Sequence, residues 1–356
     1  MSTPRPPPPP RHQQHLYLVL EGSDDLYSIH KIDVRDFDPD DDDLVSRARP
    51  LPDPPLLRLA AAESNCATCF VAHGTNIFAM PPSPGRADLA LDTRTMTITG
   101  APLPQANTQQ FHCCGLFVVG DRIYSMDERE EDDKGSCNFE VLRFDSGSRC
   151  SSSSSSRCWS WSSVPSPPRS SRLAAGGNDA GITFSFDTEA AKWTFRGYWR
   201  LPFHGQAHYD VELDAWVGLH GECHRKGRVS CCDVLPPATG DESIDRHQQA
   251  PPWKLARDGL FRAKGSRHRG GALVYMGSST FCVVERVMEK ELTREQWKKL
   301  DGPPRLLFTC GRSASSTARP GGCGWRRAAA GHAATRCRPV GGVDFFFFGL
   351  QSDSYV

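Results

Sequence analysis

An all-β fold of small antiparallel sheets repeated around an axis, a β-propeller, is what this sequence predicts. Three observations carry the prediction. Short runs alternate apolar with polar residues, an aspartate recurs at the ends of several of those runs, and helical periodicity is nearly missing.

The chain opens with "MSTPRPPPPPRHQQ", residues 1–14, whose prolines fix φ and leave no amides for a sheet; a disordered tail is expected there. From Leu16 onward come runs such as "HLYLVLEG", "TCFVAHGTNIFAM", "GLFVVGDRIYSM", "FEVLRFD", "ITFSFDT", "WVGLHG" and "FCVVERV". Each is bounded by Gly, Pro, Asp or Asn, as short strands are. "DFDPDDDDL" at 36–44 and "SSSSSSR" at 151–157 read as solvated loops inserted between strands. Only "EKELTREQWKKL", 289–300, reads as a helix, with a thin apolar stripe suited to a surface insertion.

The repeat emerges when strands ending in an acidic turn are aligned: "IHKIDVRDF", "DLALDTRTM", "VLRFDSGSR", "TFSFDTEAAKW" and "VSCCDVLPP". They share Asp33, Asp92, Asp145, Asp187 and Asp233, spaced by 59, 53, 42 and 46 residues, within the span of a four-stranded blade. The aspartate is expected to cap a turn through backbone N–H groups, with a neighbour such as Thr188 reinforcing it. A bulky residue then fills the space between sheets: Trp193, Met96, and Trp159 or Trp161. A sixth unit, lacking the aspartate, is placed at "GALVYMGSSTFCVVERV". An N-terminal strand is expected to complete the last sheet. A β-sandwich is the alternative packing of the same strands, and "DTEAAKW" by itself also has helical propensity.

Composition narrows the function classes. Of 356 residues, 42 are Lys or Arg and 42 Asp or Glu, so no overall field concentrates a polyanion, and nucleic acid is not an expected partner. No run of about 18 apolar residues exists, so no membrane span is expected. The N-terminus lacks an apolar leader, which points to a reducing, cytoplasmic or nuclear setting in which the 14 cysteines stay free thiols.

Chemical motifs are few. Cys66 and Cys69 have metal-ligand spacing, but no second such pair exists; His112, Cys113, Cys114, Cys223 and His224 are the remaining candidates, and no metal or other cofactor is expected. The acidic run from Asp38 has Asp43 and Arg49 where a calcium loop needs glycine and glutamate. No nucleophile elbow, phosphate loop or zinc-protease helix is present, so no catalytic residue is assigned. The polar group His204, His208, Tyr209 and Asp210 is the one arrangement that an acid–base or metal site would use.

The stretch "TFSFDTEAAKWTFRGYWRLPFHGQAHYDVELDAWVGL", 183–219, followed by "GRVSCCDV", resembles a plant family expanded in cereals, the domain of unknown function 1668. Its signature residues here are Asp92, Asp145, Asp187, Thr188, Trp193, Trp216 and Asp233. The resemblance implies a kelch-like β-propeller of about six four-stranded blades over residues 15–310, with Gly176-Gly177 and Gly270-Gly271 the only kelch-type diglycines in the blades. It carries no catalytic assignment and implies a scaffold of unassigned activity; repetition without a catalytic signature is what leads to the expectation of a protein–protein interaction module whose partner is an unidentified protein. A metal-dependent or small-molecule enzyme is the alternative. The first strand begins too soon after the N-terminus for an F-box to precede it.

Residues 311–342 hold no acidic residue and are rich in Gly, Ala and Arg. The segment 311–356 is therefore set apart as an atypical tail, read either as the product of a shifted reading frame or as a genuine basic extension.

Overall fold

The computed structural model describes residues 15–21, 26–33, 49–51, 53–60, 68–81, 88–101, 115–127, 138–145, 158–168, 181–221, 227–235, 249–261, 267–277, 279–288, 291, 293, 295–296, 306–316, 324–335 and 347–350. The tail 1–14 and the runs 36–44 and 151–157 lie outside them.

Among the described residues twenty-three strands follow one another. They begin with β1 (His15–Glu21), β2 (Leu26–Asp33), β3 (Arg49–Pro50), β4 (Leu57–Ala60), β5 (Cys69–His73), β6 (Asn76–Met80), β7 (Asp88–Asp92) and β8 (Thr97–Ala101). Next come β9 (Gly115–Val119), β10 (Arg122–Asp127), β11 (Asn138–Asp145), β12 (Cys158–Ser163), β13 (Thr183–Asp187), β14 (Lys192–Gly197), β15 (Phe203–Asp210) and β16 (Ala215–His220). The last are β17 (Arg228–Asp233), β18 (Trp253–Gly259), β19 (His268–Gly277), β20 (Thr280–Met288), β21 (Leu306–Ser316), β22 (Gly324–Thr335) and β23 (Phe347–Leu350).

These strands form six sheets in chain order. The first is β23-β1-β2-β4, the second β5 to β8, the third β9 to β12, the fourth β13-β14 alone, the fifth β15 to β18, and the sixth β19 to β22 with β3 added. The protein is all-β, with a propeller-like arrangement. Four sheets are four-stranded blades, not six, which corrects the expected count.

Alternation along each strand explains how the sheets stack. On β1, Leu16, Leu18 and Leu20 pack against Val274, Met276, Cys282 and Val284 of the sixth sheet. Tyr17 and Val19, on the opposite face, pack against Phe70, Ile77, Ala79 and Leu91 of the second. Val71, Phe78 and Met80 then meet Ile123, Leu142 and Trp161 of the third. Tyr124, Phe139 and Val141 meet Phe186 and Trp193 of the fourth, and Val217, Leu219 and Val229 of the fifth meet Leu273, Phe281 and Val283 of the sixth. First and last sheets are also joined by exchange: C-terminal β23 pairs with β1, while β3, from the N-terminal part, pairs in parallel with β22. First strands lie innermost, since β5 lies against β9, and β23 against both β5 and β19.

Trp193 sits between the third and fourth sheets, its indole N–H donating to the Pro165 carbonyl at 2.7 Å. Trp159 and Trp161 pack between second and third. Met96 does not fill an inter-sheet space: it is 48% exposed, because φ of 57° at a left-handed turn position aims it outward. Of the expected helix 289–300 only Glu291, Thr293, Glu295 and Gln296 are described. Thr293 and Gln296 exchange side chain-to-backbone hydrogen bonds at 2.9 and 3.3 Å, the reciprocal cap that starts a helix.

Asp88, at the start of β7, is fully buried and neither carboxylate oxygen has a hydrogen-bond partner. Burial pushes its pKa from 3.8 up to about 7. A raised carboxylate pKa means the folded chain holds a proton that the unfolded chain has lost, so stability falls as pH rises between these values, by roughly 4 kcal/mol in all. Asp88→Asn is expected to abolish that fall, leaving denaturant stability nearly level from pH 4 to 7; an unchanged slope would contradict the assignment.

Candidate functional site

Strands alternate in direction, so in every sheet the turn after the first strand and the turn after the third lie at the same end. The recurring aspartates all lie at that end. Asp33, Asp92, Asp145 and Asp233 each terminate the third strand of a sheet, and Asp187 terminates β13. Asp92 and Asp187 close four-residue hairpins: Asp92 Oδ1 accepts the amides of Arg94 and Thr95 at 2.8 and 3.3 Å, and Asp187 Oδ1 those of Glu189 and Ala190, both at 2.9 Å. After Asp33, Asp145 and Asp233 the next strand of the same sheet begins only at Leu57, Cys158 and Trp253. A four-residue hairpin to the next strand is thus not formed after these three, and residues 34–48, 146–157 and 236–248 lie outside the described residues.

A third hairpin of the same form was hidden in the sequence. Asp210 Oδ1 accepts the Leu213 amide at 2.9 Å, and Asp214 takes the left-handed position at φ 47°, as Met96 does at 57° and Ala191 at 49°. Hydrogen bonds tie the turns together: Thr93 Oγ1 donates to the Thr75 carbonyl at 2.8 Å, and Arg122 reaches across from the third sheet to the Thr188 carbonyl at 3.0 Å. For Asp92 burial raises the pKa, but the two amides and the hydroxyls of Thr75 and Thr95 outweigh it; the Ala190 and Glu189 amides hold Asp187 low.

Between the fifth and sixth sheets Ser279 Oγ lies 2.8 Å from Asp210 Oδ1 and 3.0 Å from Glu212 Oε2. Asp210 is fully buried, and its Oδ2 has no hydrogen-bond partner. Burial, then the charges of Asp210 and Glu212, push the Tyr275 hydroxyl up to about 12. His208 Nε2 is 3.1 Å from the Leu273 carbonyl, its ring stacked on Tyr275 at 6.1 Å, and burial pushes its pKa down.

The pleat divides the polar group expected around His204. His208 and Asp210 face the sixth sheet, whereas Tyr209 points the other way and donates to Asp214 Oδ1 at 2.7 Å. His204 is exposed and set off by the irregularity at Gly205, φ 69°. The geometry therefore makes an inter-sheet tie, not an assembled acid–base site. No group of three His, Cys, Asp or Glu is placed to hold a metal ion among the described residues. Cys69 is half-buried; Cys66, His112, Cys113, Cys114, Cys223, His224, Gly176 and Gly177 lie outside the described residues. Gly270-Gly271 opens β19, and a Cβ at Gly271 would strike the Phe261 ring.

The other face of the fifth sheet is different. Register places Tyr209 opposite Trp216, Trp216 opposite Cys232, and Cys232 opposite Trp253, one row across all four strands. This row lies on the face away from Val217 and Val229, which pack on the sixth sheet. Tyr209, Trp216 and Trp253 are 38%, 39% and 48% exposed. With Tyr198, on the linker from the fourth sheet, they are the four exposed large aromatic residues among those described. Tyr209 and Trp216 rings stand 5.7 Å apart, His220 and Trp253 rings 4.9 Å apart, and the Phe203 ring lies over Gly218. Cys232, between the two tryptophans, is no nucleophile: burial and then the Asp233 charge push its thiol up to about 11. At the turn end of the row exposed Asp214 accepts the Tyr209 hydroxyl, whereas Glu212 turns to Ser279 at the sixth sheet. Trp216, a signature residue, belongs to this surface; Tyr209 and Trp253 join it only through strand register.

The family model described as "Protein of unknown function (DUF1668)" matches residues 13–177 and 170–311, ending where the acid-free segment begins. No curated protein and no solved structure matches the chain. Two stability predictions follow from the turn end. Ser279→Ala, losing the hydroxyl between two sheets, is expected to lower unfolding free energy by about 1 kcal/mol. Ala191→Gly is expected to raise it by about 0.5–1 kcal/mol, since relief of the left-handed strain outweighs the added freedom of the unfolded chain. Denaturant titration reads both.

Proposed function

The chain belongs to the DUF1668 family of proteins of unknown function, and on that premise we propose that it is a non-catalytic protein-binding scaffold. The observation that carries this reading is the exposed row Tyr209, Trp216 and Trp253 on an otherwise two-sided core sheet. Exposed contiguous aromatic surface rimmed by polar groups is the usual form of a protein interface, and Trp and Tyr supply much of the energy at such sites. Exposed Asp214, bonded to Tyr209, adds a preference for a partner with a basic residue beside its apolar contacts. The polar group at His208 and Asp210 is occupied in holding two sheets together, which favours this reading over an enzyme.

The test compares the intact chain with Trp216→Ala/Trp253→Ala in affinity purification and titration of the recovered partner. Both side chains are exposed, so the thermal midpoint is expected to stay within a few degrees. Affinity is expected to fall about 30-fold or more, the equivalent of about 2 kcal/mol at one hot spot. Undiminished binding by the double variant would overturn the reading, as would failure of the intact chain to recover any reproducible partner.

A further inference from the structure

The aromatic row of the fifth sheet lies at the turn end of the fold, and so does the point at which residues 1–14 join the first strand. Tyr209 and Trp216 pair one step from the turn that Asp210 opens, and Trp253 begins β18. His15, the first residue of β1, pairs with Asp33 at that same end. Trp216 and Trp253 both lie opposite Cys232, on strands two apart, so they stand roughly 9.5 Å from one another, twice the spacing of neighbouring strands. Cys232 is fully buried between them and floors the gap with an apolar thiol.

A sheet face presents side chains, not backbone groups, so its occupant must cover rings without needing a ladder of its own. Proline meets that condition, since it has no N–H to satisfy and its ring packs flat on an aromatic one. Residues 1–14 carry prolines at 4 and at 6–10. In a polyproline II helix every third residue lies on one side, about 9.3 Å apart, which matches the separation of the two tryptophans. Reach then selects the pair. Sheets pack about 10 Å apart, and crossing from the first sheet over the sixth to the far face of the fifth takes roughly 25 Å. Pro10, five steps before His15, extends at most about 18 Å and falls short, whereas Pro7, eight steps before it, extends about 28 Å and arrives. Pro4 lies one helical turn further on.

We propose that the row Tyr209, Trp216 and Trp253 is occupied by the chain's own N-terminal segment, with Pro4 over Trp216 and Pro7 over Trp253. Pro4 over Trp216 puts Arg5 beside Asp214, which is exposed and bonded to the Tyr209 hydroxyl. A guanidinium there also lies against the tryptophan ring. Tethering gives the segment an effective concentration on the order of millimolar, so a contact that is weak between separate molecules suffices. The inference rests on the protein-binding reading and adds a competitor built into the chain. A partner gains the row only by displacing the segment, and proline-rich segments with an adjacent basic residue are the class the row accepts.

The experiment uses the full chain labelled with fluorotryptophan, whose eight tryptophans give fluorine resonances that Trp216→Phe and Trp253→Phe assign. Pro4→Ala/Pro7→Ala is expected to shift the Trp216 and Trp253 signals and leave the remaining six in place. A synthetic peptide of residues 2–10 is expected to return both signals toward their original positions, and to bind this variant at least threefold more tightly than the unaltered chain. Signals that stay in place in Pro4→Ala/Pro7→Ala overturn the proposal, as does equal affinity of the peptide for both proteins. Signals of the unaltered chain that move to the variant's positions on tenfold dilution overturn a contact within one molecule and give the row to the segment of a second copy. Unmoved signals together with a partner that Trp216→Ala/Trp253→Ala loses overturn the segment contact and leave the protein-binding reading standing; that reading itself fails only with the purification experiment.

Discussion

The structure depends on sheets whose two faces are both apolar and both covered. On β1 the leucines at 16, 18 and 20 belong to one junction and Tyr17 and Val19 to the next, so a single strand serves two neighbours through the alternation of its side chains. Burying each such side chain is worth about 1.5–3 kcal/mol, and none of it is realised until the adjoining sheet is in place. A lone sheet of this kind would expose an oily face to water. Repetition around an axis removes the problem only if the last sheet meets the first. The Leu16, Leu18 and Val274, Met276 contacts achieve that, reinforced by β23 in the first sheet and β3 in the sixth.

With the faces given over to apolar packing, polar groups are driven to the ends of the strands. The two ends of β7 show what decides their fate. Asp92 meets amides that the turn leaves unpaired, and its charge is stabilised. Asp88, four residues earlier, is sealed without a donor and holds its proton close to neutral pH. The same side chain therefore contributes with opposite sign: Asp92 supports the fold above its ordinary pKa and loses that support on acidification, whereas Asp88 opposes the fold once ionised.

Much of this was legible in the sequence, because alternation in runs such as "HLYLVLEG" reports a strand directly, and "TFSFDTEAAKW" contains both the capping Asp187 and the packing Trp193. Where insertions follow Asp33, Asp145 and Asp233, the residue repeats but the turn does not, and a repeat of residues is all that a sequence displays. The strand count failed for a related reason: the acidic signature marks third strands, and it is silent on whether two strands precede them. The group around His204 is divided because the irregularity at Gly205 and the pleat send near neighbours to different faces, and a structural role for the strand histidines is what His208 on the Leu273 carbonyl displays. The row Tyr209, Trp216, Cys232 and Trp253 spans 45 positions of sequence and exists only through three registers, so no local pattern discloses it.

The fourth and fifth sheets are where the covering rule lapses, and the departure is chemical as well as topological. Covered junctions are filled largely by Leu, Ile, Val and Phe, which have no polar atom to satisfy. The other face of the fifth sheet carries exposed Tyr209, Trp216 and Trp253 over the buried pair His220 and Ser230, with Asp214 bonded to Tyr209 at its end. Aromatic residues also fill the junction of the third and fourth sheets, where Tyr124, Phe139, Phe186 and Trp193 meet, so exposure is what sets the fifth-sheet face apart. Tyr and Trp suit such a face, since each joins a large apolar ring to a polar atom that water satisfies.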